Sequence, residues 1–209
     1  MSANTPVGVD DSRADEEPVV SLKDVSVHYN TQGYLERLFS DEDRTVRAVD
    51  GVSLDIYEND VVALVGESGC GKTTLGKTAI GAERPTEGTV EYRGQDIWAA
   101  KDGRNADIPF EEIRRSLQII HQDPGSSLNP NHTVMSTLSV PLKRWHKDLS
   151  AEDREARILN MLQIVGMTPA EDYAKRYPHQ LSGGEKQRVA MIRALLMNPD
   201  VILADEAVS

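Results

Sequence analysis

Cysteine is nearly absent. Cys70 stands alone in the 209 residues, which excludes an internal disulfide and any fold stapled by one. Long apolar runs are missing too. No stretch approaches the roughly 18 consecutive apolar residues that a membrane-spanning helix needs, and the first residues hold no apolar signal core. Basic residues are in deficit, 23 Lys and Arg against 34 Asp and Glu, for a formal charge of −11. A chain so acidic repels a nucleic-acid backbone, so nucleic acid is not expected as a partner. Such a surface suits a high-salt cytoplasm, where excess carboxylates keep proteins dissolved. No internal repeat is present. These absences leave a cytoplasmic protein, expected to meet a membrane only through partners. Its 209 residues suffice for one buried core, with or without a subdomain.

What is present is organised around Val61 to Thr74, V-V-A-L-V-G-E-S-G-C-G-K-T-T. Val61 to Val65, rich in β-branched residues, predicts a short buried strand. Thr74 to Ile80 predicts an opening helix. Between them Gly66, Gly71, Lys72 and Thr73 match G-x-x-x-x-G-K-S/T, with an extra glycine at Gly69 and with Glu67, Ser68, Cys70 and Thr74 completing the loop. Glycines let successive N–H groups turn inward around an anion, and the helix adds its own free N–H groups. Lys72 brings a cation to the β- and γ-phosphates, and the Thr73 hydroxyl can ligate Mg²⁺. A tight strand-to-helix turn with a solvated lysine also fits these letters. Strand, loop and helix in the required order favour nucleotide binding. Cys70 needs no role beyond being small enough for the loop.

In chain order, residues 1–18 hold Asp10, Asp11, Asp15, Glu16 and Glu17 and are expected to be a disordered acidic tail. Val19 to Tyr29 has strand composition, alternating at Val25, Val27 and Tyr29. Asn30 to Arg47 is a charged insertion with a small apolar cluster of Tyr34, Leu35, Leu38 and Phe39. Ala48 to Tyr57 returns to strand character, Glu58-Asn59-Asp60 is a turn, and a second turn at Pro85 to Gly88 leads into a strand, Thr89 to Tyr92. Lys101 to Asp107 is polar and expected to be loose. Pro109 to Leu117 predicts a helix, and Leu117 to Gln122 a strand. From Thr133 to Met167 the pattern is helical. Ser150 and Asp153 resemble a capping box there, and Ile158, Met161, Leu162 and Val165 share a face. Ser182 to Met197 is a further helix, and Asp200 to Asp205 a closing strand. The layout is a mixed sheet around a nucleotide loop, interrupted by a helical block near Pro124 to Tyr177.

Two further constellations carry chemistry. Asp205 and Glu206 end the apolar strand V-I-L-A, and ligands of parallel α/β sheets sit beyond the carboxyl ends of strands. One carboxylate there can hold Mg²⁺ and the next can orient or deprotonate water. Alone the pair fits an ordinary acidic turn; with Gly66 to Thr73 it gains weight. Leu181-Ser-Gly-Gly-Glu-Lys-Gln-Arg188 reads first as a capping box, Ser182 with Glu185. Its two first-turn glycines cost about 1 kcal/mol each against alanine, which makes sense if the backbone must approach a ligand closely.

With these motifs in hand, the chain resembles the ATP-binding subunits of ABC transporters from about Val19 to Ser209, on the Walker A loop, Gln122, L-S-G-G-E-K-Q-R and the Walker B strand V-I-L-A-D-E. The resemblance implies an α/β P-loop NTPase with a RecA-like mixed sheet core, an N-terminal antiparallel β part and an inserted helical subdomain at about 124–180. It implies that Tyr29 stacks on adenine; otherwise a packing role for a strand-end tyrosine is favoured. It makes Gln122 the Q-loop residue that touches Mg²⁺ together with Thr73 and Asp205, and Glu206 the catalytic glutamate. Ser182, Gly183, Gly184 and Glu185 would meet the ATP held by a second ATPase subunit in a head-to-tail dimer. The insertion ending T-V-R-A-V-D-G-V-S-L, the segment H-Q-D-P-G-S-S-L-N-P-N and Y-P-H-Q-L-S-G-G resemble the oligopeptide/dipeptide importer group. Expected cofactors are ATP and Mg²⁺. Expected partners are permease subunits, a second ATPase subunit and, indirectly, an extracytoplasmic solute-binding protein, at the cytoplasmic face of the membrane.

Three departures stand out. Glu185 replaces the signature glutamine, Ala207 stands where proline usually follows the catalytic glutamate, and the family's D-loop, switch histidine and closing strands lie beyond Ser209. The C-terminal part is therefore expected to be missing and the 209-residue form to be impaired in hydrolysis. Two alternatives remain beside peptide import, a soluble ABC-type ATPase without membrane partner and an inactive nucleotide-binding fragment.

Overall fold

The computed structural model describes residues 16–30, 45–104, 106–121 and 128–205. Most of the acidic segment 1–18, the apolar cluster of the insertion, Gln122, the segment that follows it to residue 127, Glu206 and Ala207 lie outside the described residues.

Four strands form an antiparallel sheet in the order β2-β1-β3-β4: β1 (Val20–Asn30), β2 (Thr45–Ile56), β3 (Glu87–Tyr92) and β4 (Gln95–Asp96). β1 is central, paired Val20↔Ile56 through Asn30↔Thr45 on one side and Val20↔Tyr92 through Ser26↔Glu87 on the other. Its apolar residues Val20, Leu22, Val25 and Val27 are all buried, alternating with Ser21 and Ser26 and changing parity across the Lys23–Asp24 bulge. The register slips at Lys23 and Asp24, where Asp24 takes φ 49. Gly88 (φ 82) makes room for that bulge, since a Cβ there would lie 2.3 Å from the Asp24 carbonyl oxygen. The Glu58-Asn59-Asp60 turn forms as expected, with Asn59 at φ 65 and the Tyr57 N–H donating to the Asp60 carboxylate at 3.0 Å.

A second, parallel pair joins β5 (Leu117–Ile120) to β6 (Val201–Ala204), in register Leu117↔Val201 to Ile120↔Ala204. The helix α1 (Lys72–Ala79) lies against β6 so closely that a Cβ on Gly76 would come 2.8 Å from Leu203. Two short helices connect the sheets. The first, α2 (Ile97–Lys101), is capped by the Asp96 carboxylate, which accepts from the Trp98 and Ala99 N–H groups at 2.8 and 3.1 Å. The second, α3 (Phe110–Ser116), leads directly into β5. Among its described residues the polar stretch Lys101 to Asp107 is loose as expected, except that Lys101 closes α2, whose five residues are too few for periodicity to announce a helix.

The expected strand at Val61 to Val65 does not form. Residues 61–67 are in no strand or helix, and Val61 and Val65 are 97 % and 92 % exposed. A strand exists only through a ladder with a neighbour. Among the described residues none pairs with this segment, and β6 is paired on its β5 edge alone. Strand composition without a partner leaves extended chain.

The helical part comprises α4 (Val134–Trp145), α5 (Ala151–Ile164), α6 (Ala170–Lys175), a 3-10 turn (Pro178–Gln180) and α7 (Gly183–Leu195). Thr133 caps α4 and Ser150 caps α5, each hydroxyl accepting the N–H three residues on. At α5 only half of the capping box closes. Ser150 Oγ donates to the Asp153 carboxylate at 2.7 Å, and an aspartate, one methylene shorter than glutamate, meets that hydroxyl rather than the Ser150 N–H.

Two main apolar clusters result. Val20, Leu22, Val25, Val90, Ile97 and Ile113 centre the first, between the antiparallel sheet and α1 to α3. Leu138, Leu142, Ile158, Leu162, Val189 and Ile192 centre the second, within the helices. Leu162→Ala should lower the unfolding free energy by about 2–5 kcal/mol, whereas Val65→Thr should change it by no more than about 0.5 kcal/mol. Urea unfolding of both variants checks the contrast, and a large cost for Val65→Thr would show that this segment is packed.

Candidate functional site

The site begins where residues 61–67 enter α1. Cys70 N–H donates to the Glu67 carbonyl at 3.3 Å, which closes the loop, and Gly71 caps the helix at φ 92. No other residue fits at position 71: a Cβ there would lie 2.0 Å from the Ala48 carbonyl oxygen of β2. Gly66 is likewise restricted, with a Cβ coming 2.7 Å from Cys70 Sγ. The Lys72 ammonium reaches back along the loop, donating to the Gly66 and Glu67 carbonyls at 2.8 and 2.7 Å, with Cys70 Sγ at 3.7 Å. Glycine spacing and lysine thus act together: the loop bends tightly, and a cation sits inside the bend.

Thr73, in the first turn of α1, donates from Oγ1 to Asp205 Oδ1 at 3.0 Å across 132 residues of sequence. Parallel pairing delivers the carboxylate there, since Asp205 follows β6 directly and its N–H donates to the Ile120 carbonyl at 3.2 Å. Tyr29 of β1 lies opposite Val46 near the end of the β1–β2 ladder, is exposed, and faces the stretch of β2 whose Ala48 abuts Gly71. Gln122 and Glu206, each expected at this site, fall outside the described residues. Ala48 was not foreseen. Its contribution is a backbone carbonyl, which no residue type advertises.

Apart from this loop, Ser182 caps α7 and the full capping box closes. Glu185 N–H donates to Ser182 Oγ at 3.3 Å and Ser182 N–H to Glu185 Oε2 at 2.6 Å. Hydrogen bonds from the Ser182 backbone and hydroxyl and from the Tyr173 hydroxyl, with the Arg176 guanidinium at 3.8 Å, hold the Glu185 carboxyl down to about 2. Arg176 also stacks on the Tyr173 ring, 4.0 Å from its centroid. Neither residue was singled out from the sequence, because their meeting depends on how α6 docks. Open space fronts Gly183, where a Cβ would have no neighbour within 4 Å, and Gly184 is nearly as free, with only Arg188 at 3.9 Å. Packing within the described chain does not require these two glycines.

Comparison with known proteins gives a consistent picture. Residues 49–209 match the family model described as ABC transporter. The oligopeptide transport ATP-binding protein AppF of Bacillus subtilis is 38% identical over 197 residues, which cover 94% of this chain and 56% of AppF. OppF of Salmonella typhimurium, also an oligopeptide transport ATP-binding protein, is 38% identical over 191 residues, 91% of this chain and 55% of OppF. The dipeptide transport ATP-binding protein DppF of Escherichia coli is 39% identical over 195 residues, 93% of this chain and 54% of DppF. The chain thus spans about half the length of the curated relatives it matches. Among solved structures, the ATP-binding cassette MJ0796, a dimer in a post-hydrolysis state bound to ADP and Pi, is similar with a TM-score of 0.71 at 30% identity, over 90% of this chain and 74% of that one.

The Glu185 shift has a pH signature. A depressed carboxyl stabilises the folded chain fully above its ordinary value of 4.5, and that contribution is lost as pH falls towards about 2. Carboxyl-carbon NMR of the folded protein should show Glu185 titrating well below the other glutamates, and Ser182→Ala should move its midpoint up. A midpoint at the ordinary value would show that the cap is not formed.

Proposed function

The chain belongs to the ABC transporter family, and from that membership we propose that it is the ATP-binding and hydrolysing subunit that powers import of peptides or related solutes across the cytoplasmic membrane. The observation that carries the reading is the Thr73–Asp205 hydrogen bond. It brings the helix behind the phosphate loop and the end of the acidic strand to one point, as binding of a metal–nucleotide complex requires.

The residues present fit ATP and Mg²⁺. At Gly71 any side chain would strike the Ala48 carbonyl oxygen, so that position offers backbone alone; Lys72 supplies a cation; and a hydroxyl and a carboxylate 3.0 Å apart are the hard oxygen donors that Mg²⁺ prefers. Glu67, Ser68, Gly69, Cys70 and Thr74 complete the phosphate loop, and Tyr29 stacks on the base. Thr73, Asp205 and Gln122 hold the metal, which when bound neutralises charge on the phosphates. Glu206 acts as the base that orients the attacking water, and positioning does most of the work. Ser182, Gly183, Gly184 and Glu185 face the nucleotide of a second ATPase subunit in a head-to-tail dimer, a role that the open space before Gly183 supports.

The division of labour is proposed as well. Residues 19–209 form the nucleotide-binding domain, with a helical subdomain at about 124–180 that meets the permease subunits. An extracytoplasmic solute-binding protein acts further upstream. Peptide import rests on the resemblance to AppF, OppF and DppF, each named for peptide transport. Among the described residues no helix is long and apolar enough to cross a membrane; the peripheral place at its inner face is proposed from the likeness to transport ATP-binding proteins.

Two measurements test the reading. Lys72→Ala removes the side-chain cation of the loop, so affinity for a fluorescent ATP analogue should fall by about tenfold or more; unchanged affinity would overturn the loop assignment. In the assembled transporter, Glu206→Gln should leave ATP binding intact and slow hydrolysis by about 10²–10⁴-fold. Hydrolysis within twofold of the parent would remove Glu206 from the role of base.

A further inference from the structure

At the opposite end of β6 from Asp205 sits a polar cluster that the functional reading does not use. Asp200 Oδ2 accepts a short hydrogen bond from the buried Tyr92 hydroxyl, and Arg93 donates to the same oxygen from Nε at 3.4 Å and from a terminal nitrogen at 3.2 Å. Arg93 also reaches Glu58 at 3.1 Å. The backbone is fixed as firmly as the side chains. Asp200 N–H donates to the Ser116 carbonyl at 2.8 Å, and Arg93 N–H to the Val19 carbonyl at 2.9 Å. Arg93 is held at φ 47, a left-handed conformation that few non-glycine residues adopt without restraint. Burial first and the bond to Asp200 second raise the Tyr92 hydroxyl above its ordinary pKa, so it stays a donor throughout the physiological range.

The cluster joins the two sheets. Tyr92 and Arg93 belong to the β3–β4 hairpin of the antiparallel sheet, which carries Tyr29 on β1. Asp200 opens β6, which carries Asp205. Elsewhere the parallel pair meets the first core through apolar contacts of Leu117, Val201 and Leu203, which resist separation but not sliding. Among the described residues β6 has a ladder on one edge only. The β5 ladder fixes β6 only against β5; a directional tie at the start of β6 therefore fixes how far the strand protrudes relative to the antiparallel sheet at its end, about 17 Å away at roughly 3.3 Å per residue.

We propose that Asp200 is a positioning residue for the metal side of the nucleotide site: clamped by Tyr92 and Arg93, it sets the axial position of β6 and so places Asp205 opposite Thr73. The inference rests on the proposed role of Thr73 and Asp205 in holding Mg²⁺.

The test is the magnesium dependence of nucleotide binding by this chain, read as the ratio of affinities for a fluorescent ATP analogue with Mg²⁺ and with EDTA. Asp200→Asn keeps the shape and removes the charge that Arg93 meets; Tyr92→Phe removes only the hydroxyl and serves should the first variant fold poorly. Each should leave metal-free affinity within about twofold and reduce the Mg²⁺ enhancement by about tenfold, the low end of what loss of a supporting group costs a metal site. A general loss of structure would instead weaken both affinities together. Breaking the exposed Lys23–Glu91 ion pair with Glu91→Gln, on the same sheet, should change neither. Asp205→Asn separates the two claims. If it abolishes the enhancement while Asp200→Asn and Tyr92→Phe preserve it, the positioning role is overturned and the metal site stands. If Asp205→Asn has no effect, or the parent shows no enhancement, both are overturned.

Discussion

A hydroxyl donating to a carboxylate at 3.0 Å, Thr73 to Asp205, joins residues 132 apart and defines where the two halves of the site meet. Everything around it is arranged so that this bond can form. Gly71 must turn left-handed beneath the Ala48 carbonyl for α1 to start where it does. Gly76 lacks a side chain where α1 lies on Leu203, one residue from the end of β6. Parallel pairing with β5 must then end at Ala204, so that Asp205 emerges beyond the carboxyl end of the strand. A Cβ at Gly71 would strike rigid backbone and shift the start of α1, whereas one at Gly76 would press on the Leu203 methyl groups, which can turn aside.

The charge arrangement follows the same logic. The protein is acidic overall, yet its one loop lysine is not spent on a surface carboxylate; Lys72 sits on two backbone carbonyls of its own loop. Exposed ion pairs such as Lys23–Glu91 and Arg84–Asp102 occur elsewhere and contribute little individually. Two charge contacts sit at junctions: Arg93 with Glu58 and Asp200 between the sheets, and Arg176 with Glu185 between α6 and α7. In both places an arginine also lies near an aromatic ring, Tyr92 or Tyr173, which restricts the guanidinium before it meets its carboxylate.

How much of this was legible in the sequence depends on the range of the interaction. Local patterns were readable: the glycine-lysine loop, the Ser182–Glu185 capping box, the apolar stripe of α5 and the acidic end of β6. Val61 to Val65 was misread because strand composition describes a residue's fitness for a ladder, not the presence of a neighbour. The box at Ser150 was half right because residue type fixed the hydroxyl-to-N–H bond, while side-chain length decided the return bond. The helix α2 was missed because five residues give no period. Tyr92 and Asp200 stand 108 residues apart, and nothing in either neighbourhood marks the other. Long-range polar contacts of this kind are set by topology, which local letters do not encode.

The helix α7 brings the local and the long-range parts together. Its N-terminus is the capped Ser182–Gly184 turn, and one stripe, Val189, Ile192 and Leu196, is buried in the helical cluster with Leu138, Ile158 and Leu162. A second stripe, Met191 and Ala194, packs on Ile120, the last residue of β5. Thirteen residues make a rod of about 20 Å, and the closed capping box keeps its first turn from fraying. Ile120 is the residue whose carbonyl accepts from Asp205 N–H, and Asp205 in turn accepts from Thr73. The open turn at Gly183 and the acidic end of β6 are therefore linked by one helix and one backbone bond. Tilting this rod would disturb Met191 and Ala194 on Ile120, and opening its first turn would break the two Ser182–Glu185 bonds, which the ionised Glu185 carboxylate favours.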